Sequence, residues 1–551
     1  MSHQVLKTAH ITHHKMSLYA SLFALCIALT YYYRAVIGID IFNTYLPDLG
    51  PMPDGQEYLA GAISLLNEGR FGFRIGDDFL PSRYPFAYPV LLVPFVYFLE
   101  KKAVILAPYL ANQTLGIIIL IGTFLFFFCQ KRFMAAGIAV LLLVTLPAFV
   151  IFSRSSMSEN LGALTILAIF LLLYLAAKKS NFRYIVFASF ILGLSLSVRL
   201  QHVLLAPALG AILLINSREA SRRKLSIWQL LSVPLAFLVA VTPLLLYNWK
   251  TFGSPCSTGY DFWVPGSIAF KLEFILPNLL PIWNEFSLSQ DAYRVAHIFG
   301  PGVYLTSPFI FLSIVSILRG FLSANLKSLA MMIAATVFCV GTLLYRFSNE
   351  GGVYFWDERF IYPLMILSIF PIADFFESSF RQRSFTKIRV KSCLILLLLL
   401  TLIGFPSIAG YPAKFTFSQT GSLLDRGYLG DRSFMYSTTV EYLETYDDGT
   451  ATLIITDMVP FFVNSLLNEN ATVIPASGAH TFGFSTAQWK FDSDDRDQYI
   501  QRFLNKDDRI IFLSKEKLNT GIDPAFPNIP KQVWKKLSVS TDSLIYELIS
   551  K

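Results

Sequence analysis

Long apolar runs are the feature of this sequence that most restricts its fold. Between residues 16 and 410 they follow one another with short polar interruptions, and most have roughly 15–25 residues, enough to cross a bilayer as a helix. Only 15% of the 551 residues are charged and 54% are hydrophobic, whereas soluble domains carry about 25% charged residues. The sequence therefore predicts an α-helical polytopic membrane protein with about eleven transmembrane helices.

Basic clusters between these runs predict the orientation of the chain. They lie at 131–132, 178–183, 218–224, 319–327 and 381–391. Because Lys and Arg concentrate in cytoplasmic loops, we place these clusters and an N-terminal tail, 1–15, in the cytoplasm. The net charge of +8 then reflects membrane topology and does not indicate a nucleic-acid partner. The predicted spans are 16–37, 105–129, 133–152, 160–177, 184–198, 200–215, 227–247, 303–318, 329–345, 360–376 and 394–408.

One short apolar segment is excluded from these spans. Residues 86–98 follow Pro85 and contain Pro89 and Pro94, so we expect a re-entrant or interfacial piece within a first outer loop, 38–104. The transmembrane region is predicted to extend over 16–410, in the cytoplasmic (inner) membrane.

The composition changes after residue 410. Short strands are predicted at 452–456, 509–513, 533–537 and 543–548, with helices at 460–467 and 495–504. We expect residues 411–551 to form a small α/β domain of about 140 residues on the extracytoplasmic side. No nucleotide-binding fingerprint is evident in it.

The first outer loop contains the most distinctive polar stretch. Asp54 and Glu57 are three residues apart, which predicts a capping box with Asp54 at the N-cap of a helix. The apolar residues that follow, at 59, 62, 63 and 66, share one face at helical spacing, so the helix is expected to lie along the membrane surface. The turn Arg83-Tyr84-Pro85 follows it.

Further charged residues lie where other predicted spans meet the outer face. Glu159 begins one span, Arg199 and His202 lie in an apolar hairpin, and Glu358-Arg359 precede another span. Charges at membrane depth are costly, so they either pair with one another or mark a functional site. For Arg199 a functional and a structural role both stay open. Glu159 is either a site residue or a helix cap, and Glu358-Arg359 are either site residues or an ion pair that satisfies itself.

The order of these motifs resembles the integral-membrane C-type glycosyltransferases that use polyprenyl-phosphate sugars, including protein O-mannosyltransferases and the lipid A aminoarabinose transferase. Members carry an acidic residue and a Tyr in the first outer loop, a Tyr-Pro-Pro or Lys-Pro-Pro turn, a second acidic residue opening the fourth span, and a basic residue between the fifth and sixth. Here these positions correspond to Asp54, Tyr58, the Arg83 turn, Glu159 and Arg199. This sequence departs from the pattern at Phe86-Ala87.

The resemblance implies an inverting glycosyltransferase acting on the outer face of the membrane. Asp54 and Glu159 are the expected catalytic residues, with Asp54 as the base. Arginine suits a phosphate because its planar fork makes charge-assisted contacts. The expected substrate-binding residues are Glu57, Arg83, Tyr84, Arg199, His202, Lys250, Tyr260, Glu358 and Arg359.

The resemblance also implies the partners: a polyprenyl-phosphate sugar donor, membrane lipid, and a glycan, lipid or protein acceptor. No cofactor is assigned with certainty, and a divalent cation, Mg²⁺ or Mn²⁺, between Asp54 and Glu159 is an open alternative because hard cations bind carboxylates.

Two other functions are compatible with a charged outer cavity. A lipid or small-solute transporter or flippase would show internal repeats and broken helices at the midplane, whereas the polar residues here gather toward one face. A non-catalytic membrane scaffold for the C-terminal domain leaves Arg199 and Glu159 unexplained.

Overall fold

The computed structural model describes residues 2–37, 53–99, 101–179, 181–207, 226–263, 271–275 and 362–381, together with 450–456, 460–465, 470–476, 489–506, 508–513, 534–536, 545–548 and a few isolated positions. The predicted spans 303–318, 329–345 and 394–408, and the pair Glu358-Arg359, lie outside these residues.

Most of the described chain before residue 382 is helical. The helices are α1 Ser2–Tyr32, α2 Pro53–Glu68, α3 Ala87–Phe98, α4 Ala107–Phe128, α5 Phe133–Thr145, α6 Pro147–Phe152, α7 Glu159–Lys179, α8 Arg183–Ser195, α9 Ile227–Phe252, α10 Gly259–Trp263 and α11 Tyr362–Arg381. Shorter 3₁₀ segments are Lys101–Leu106, Leu200–Leu205 and Leu272–Phe274, and a π-helical turn, Tyr33–Ile37, follows α1.

Four described helices are long and apolar enough to cross a membrane: Lys15–Tyr32, Val104–Phe128, Glu159–Ala176 and Ile227–Phe252. Each overlaps a predicted span. Helix α3 has only 12 residues, which at 1.5 Å per residue is well short of a bilayer core of about 30 Å. Its length agrees with its exclusion from the predicted spans.

One prediction about the helices is wrong. The predicted span 133–152 is two helices, because the ring of Pro147 forces Leu146 into an extended conformation, with ψ of 112°. Helix α1 begins at Ser2 and continues into the first span, and the placement of residues 1–15 as a cytoplasmic tail stays a prediction.

Small residues let the helices of the bundle approach closely. Helix α5 lies among α1, α4 and α11, and its Ala135, Ala136 and Ala139 are fully buried. A side chain at Gly137 would lie 3.2 Å from the Cβ of Ala24 on α1. Helix contacts in membranes depend on such small residues, because apolar burial gives little advantage over lipid.

The C-terminal part forms a five-stranded mixed sheet in the order β4–β3–β5–β7–β6. Strand β3 pairs in parallel with β4 and β5, while β7 is antiparallel to both β5 and β6. The bounds are β3 Thr452–Thr456, β4 Ala471–Pro475, β5 Arg509–Leu513, β6 Trp534–Lys536 and β7 Ile545–Leu548, with helices α12 Pro460–Ser465 and α13 Ser493–Leu504. Strand β4 was not predicted.

Alternate residues of the central strands enter two apolar cores. Leu453 and Ile455 of β3 face α13, whereas Ile454 lies with Phe461 and Phe462 of α12. Burial of both faces explains the nearly continuous apolar sequence of these strands.

The same core extends from α12 to α2 and to a short hairpin, β1 Phe73–Ile75 and β2 Asp78–Leu80. Residues 54–64 of α2 are all buried. The apolar face that was expected to meet lipid is therefore covered by the sheet and α12, and the position of this helix along the membrane surface stays a prediction.

At the end of the bundle away from α2, one arginine holds two helices together. Arg132 precedes α5; its Nε donates to Glu377 Oε2 at 2.6 Å, and its Nη2 pairs with Asp374 on α11. The Glu377 side chain is 2% exposed, so its charge depends on this partner.

We expect Arg132→Ala to lower the free energy of unfolding by about 1–3 kcal/mol, the cost of leaving a buried acceptor without its partner. The thermal unfolding midpoint of the purified full chain measures this. Arg183→Ala, an exposed arginine at the start of α8, is the matched control and is expected to leave the midpoint unchanged. Equal midpoints for the two variants would contradict a stabilising role for Arg132.

Candidate active site

The buried carboxylate of Glu57 organises the turn that follows the hairpin. Its Oε1 accepts hydrogen bonds from Ser82 Oγ at 2.8 Å and from the Arg83 backbone N–H at 2.5 Å. Its Oε2 lies 2.8 Å from both Nε and Nη2 of Arg83. Both oxygens are thus bound by protein groups, and the predicted capping box is wrong because Glu57 turns toward residues 82–83 rather than back along its own helix.

Asp54 lies one helical turn before Glu57 and on the same side of α2. Its Oδ1 is 3.7 Å from Arg83 Nη2, and the side chain is 8% exposed. The helix begins at Pro53, so Asp54 is in the first turn and not at the predicted N-cap position. A carboxylate there is favoured by the helix dipole.

Charge compensation explains how Arg83 remains a cation inside the protein. Burial by itself lowers the pKa of its guanidinium, but the surrounding acidic groups, Glu57 foremost, together outweigh burial, and the pKa lies above its usual value. The Arg83 side chain is 12% exposed, so it is not completely enclosed by the protein.

Aromatic rings line the other side of this turn. Tyr84 packs against Tyr58 at 4.8 Å between ring centroids and against Tyr260 at 5.7 Å. Burial raises the pKa of Tyr84 well above its usual value, so its hydroxyl is a neutral hydrogen-bond donor at physiological pH. Trp263 Nε1 donates to the carbonyl of Pro81 at 2.6 Å and thereby holds α10 against the turn.

A second ion pair lies at the start of α7. Arg199 follows α8, and its Nη2 pairs with Glu159 Oε1 and lies 3.4 Å from Ser158 Oγ. The Glu159 side chain is fully buried, and that of Arg199 is 13% exposed. Because Glu159 sits in the first turn of α7 and binds a guanidinium, it does more than complete a helix end.

His202 is fully buried beside this pair. A Cβ at Gly162, one turn into α7, would lie 3.5 Å from Arg199 Cδ and 3.6 Å from His202 Nε2. Glycine at 162 therefore makes room for both side chains.

Buried amides hold residues 153–158, which connect α6 to α7. Asn112 Nδ2 donates to the carbonyls of Ser155 and Met157, both at 2.7 Å, and also to Tyr88 Oη at 2.8 Å. Asn160 Nδ2 donates to Ser153 Oγ at 3.2 Å. Buried hydrogen bonds from side-chain amides to backbone carbonyls favour one backbone arrangement, and here they hold the segment that leads to Glu159.

Tyr58 lies between the two ion pairs. Its hydroxyl is 3.1 Å from Ser158 Oγ, the same oxygen that Arg199 approaches. Burial raises the pKa of Tyr58, and the charges of Arg199, Asp54 and Glu159 also act on its hydroxyl. The Asp54–Arg83 and Glu159–Arg199 pairs therefore belong to one site at one end of the bundle.

The two carboxylates offer a limited site for a metal. Within the residues that the structure describes, no three Asp, Glu, His or Cys side chains form a group able to hold an ion. Asp54 and Glu159 each face a guanidinium, which already supplies positive charge. The divalent cation between them stays a prediction.

Other predicted site residues differ in their positions. Tyr260 joins the site through Tyr84, whereas Lys250 is exposed near the end of α9. Sequence reasoning did not assign roles to Tyr58, Ser82, Ser158 or Asn112. The sequence offered two signals for these residues: Tyr58 follows an acidic residue, and a serine-rich segment precedes Glu159. Only the fold shows that they lie together.

Comparison with known proteins finds a family match for one segment of the chain. Residues 97–247 match the family described as dolichyl-phosphate-mannose-protein mannosyltransferase, a segment that includes Glu159, Arg199 and His202. No curated protein sequence matches the chain.

Solved structures show the fold over nearly the full length. ArnT from Cupriavidus metallidurans matches with a TM-score of 0.56 in the apo state and 0.55 when bound to undecaprenyl phosphate, in both cases at 12% identity and covering 96% of this chain and 97% of ArnT. The oligosaccharyltransferase of Archaeoglobus fulgidus is a more distant match, with a TM-score of 0.48, 13% identity, and coverage of 89% and 69%. The chain thus has the fold of the integral-membrane C-type glycosyltransferases and contains a mannosyltransferase-family segment, which confirms the resemblance predicted from its motifs.

Proposed function

We propose that the protein is an inverting glycosyltransferase that transfers a sugar from a polyprenyl-phosphate donor to an acceptor hydroxyl on the outer face of the cytoplasmic membrane. The observation that carries this proposal is the meeting of two carboxylate–guanidinium pairs, Asp54–Arg83 and Glu159–Arg199, on either side of Tyr58. Such a site can remove a proton and also bind a phosphate.

The donor requires an apolar environment for its lipid and cations for its phosphate. ArnT was solved with undecaprenyl phosphate, which supports a polyprenyl phosphate as the carrier in this fold. The side chains of Arg83 and Arg199 are 12% and 13% exposed at the same end of the bundle. Guanidinium groups bind phosphate through charge-assisted hydrogen bonds.

The reaction needs one base and stabilisation of the leaving group. The Asp54 carboxylate takes the proton of the acceptor hydroxyl, whose oxygen attacks the anomeric carbon of the sugar. The bond from that carbon to the phosphate oxygen breaks, and the polyprenyl phosphate leaves with the electron pair while a guanidinium stabilises its charge. Attack from the side opposite the phosphate inverts the anomeric configuration.

Asp54 is the better candidate for the base than Glu57. Glu57 is bound by Ser82 and by both the backbone and the side chain of Arg83. It holds the turn in place, whereas Asp54 lies at the edge of the ion pair. Glycans, lipids and proteins all present hydroxyl groups, so the acceptor class stays open.

The first prediction from the proposed function concerns the base. Asp54→Asn keeps the shape of the side chain but removes its ability to accept a proton, so turnover is expected to fall by roughly 10²–10⁴-fold. Initial rates with purified protein and a panel of polyprenyl-phosphate sugars measure the effect. The control is Glu68→Gln, a carboxylate on the same helix that pairs with Arg74 away from the site. An Asp54→Asn enzyme as fast as the Glu68→Gln control would place the base elsewhere.

A second prediction separates the two roles of Arg199. Arg199→Ala alone leaves Glu159 buried with its charge uncompensated, so a fold defect is expected. The double variant Arg199→Ala, Glu159→Gln removes both charges and is expected to recover the thermal unfolding midpoint to near that of the parent. Turnover at limiting donor is expected to stay at least about 10²-fold below the parent, because the phosphate contact is still missing.

Recovery of donor use together with stability in that double variant would mean that Arg199 serves only to neutralise Glu159.

A third prediction tests the face of the membrane. In a chain whose five native cysteines are replaced by serine, single thiols are introduced by Lys506→Cys at the end of α13 and by Lys131→Cys between α4 and α5, both at exposed positions. In intact cells a membrane-impermeant maleimide is expected to label the first thiol, and to label the second only after permeabilisation. The opposite pattern would place the site on the cytoplasmic face.

A further inference from the structure

We propose that the β1–β2 hairpin connects the C-terminal sheet to the active site, so that Tyr499 and Arg502 are positioning residues for Arg83. This inference rests on the proposed function of the Asp54–Arg83 pair. Neither residue touches the site itself; both act through the hairpin, whose two ends contact different parts of the molecule.

The tip of the hairpin is bound by the sheet and by α13. The Gly76 N–H donates to the carbonyl of Val473 on β4 at 2.7 Å, and the Asp77 N–H donates to Tyr499 Oη at 2.9 Å. Arg502 Nη1 pairs with Asp77 Oδ2 at 2.7 Å. These contacts join segments more than 390 residues apart in the sequence, so local chain geometry cannot account for them.

Aromatic packing reinforces the same junction. Trp489 Nε1 donates to Asp78 Oδ2 at 2.9 Å, and the Trp489 ring lies 6.0 Å from that of Trp263. Phe73 on β1 stacks on Phe461 of α12 at 4.3 Å between ring centroids. The hairpin is therefore held on its tip and along its apolar face.

A hairpin with two three-residue strands is marginal without such support. Its own pairing covers only Phe73 to Leu80, Arg74 to Phe79 and Ile75 to Asp78. Its position is accordingly set by what it packs against.

The other end of the hairpin leads directly to the site. Strand β2 ends at Leu80, and Pro81, Ser82 and Arg83 follow without a break. Ser82 and Arg83 are the residues that bind Glu57, and Arg83 Nη2 lies 3.7 Å from Asp54. A displacement of the hairpin therefore changes the distance between the phosphate-binding cation and the base, and misplacement of about 1 Å can cost 10²-fold in rate.

Two glycines allow a matched test. Gly76 has φ of +59°, and a Cβ there would lie 2.6 Å from Tyr499 Oη and 2.9 Å from its Cζ. Gly69 has φ of +64°, and nothing lies within 4 Å of the corresponding position. Valine at either position has the same unfavourable backbone conformation. Only at position 76 does the new side chain also collide with the Tyr499 side chain of α13. Tyr499→Ala removes the contact without altering the hairpin sequence.

Two readouts apply to the full-length protein. One is turnover with the polyprenyl-phosphate sugar panel. The other is the rate at which N-ethylmaleimide alkylates a thiol introduced by Ser82→Cys in a chain whose five native cysteines are replaced by serine. Ser82 is 1% exposed beside Arg83. A thiol introduced by Thr456→Cys, 1% exposed in β3, reports unfolding of the sheet itself.

We expect Gly76→Val and Tyr499→Ala each to speed alkylation at position 82 by about ten-fold or more, because local opening exposes this thiol. Alkylation at position 456 should be unchanged, and turnover should fall by about ten-fold or more. Gly69→Val should match the parent in all three measurements.

Equal behaviour of Gly76→Val and Gly69→Val would overturn the inference, as would faster alkylation at both thiols, which indicates unfolding of the sheet. If the parent transfers no sugar, the proposed function fails, but the alkylation rates still decide whether the hairpin couples the sheet to Arg83.

Discussion

The buried contact between Glu57 and Arg83 is the interaction on which the geometry of this site depends. It joins helix α2 to the turn after the hairpin through one carboxylate that binds a hydroxyl, a backbone N–H and a guanidinium. A buried ion pair contributes little net stability unless its remaining groups are also hydrogen-bonded. Here both oxygens of Glu57 accept hydrogen bonds, and the result is a fixed position for Arg83 opposite Asp54.

The second ion pair is built from different elements but meets the first through one hydroxyl. Arg199 and Glu159 come from the end of one helix and the start of another, and Ser158 connects them to Tyr58. Asn112 and Asn160 fix the backbone that leads into Glu159. The small residues of α5 let the helices pack closely, so the polar groups at the end of the bundle have well-defined positions.

Much of this architecture follows from local sequence patterns. Apolar runs long enough for a bilayer predicted the helices that begin near residues 104, 159 and 227, because hydropathy and length are properties of a single segment. Apolar β-branched runs similarly predicted β3 and β5, which have the bounds expected. Strand β4 was missed, since a five-residue segment ending in Pro475 has little signal of its own and is a strand because β3 lies beside it.

The sequence by itself determined the helical membrane class and the resemblance to C-type glycosyltransferases, and it singled out Asp54, Glu159 and Arg199 as candidate site residues, since each rests on residue type and order along the chain. Only the tertiary structure decided the partner of each charge. Glu57 was expected to cap its own helix but binds Arg83 instead, and the apolar face of α2 was expected to meet lipid but packs against α12 and the sheet. Both corrections have the same physical reason: a carboxylate and an apolar helix face are satisfied by whatever the fold brings nearest, and here those partners are 26 and about 400 residues away in the chain.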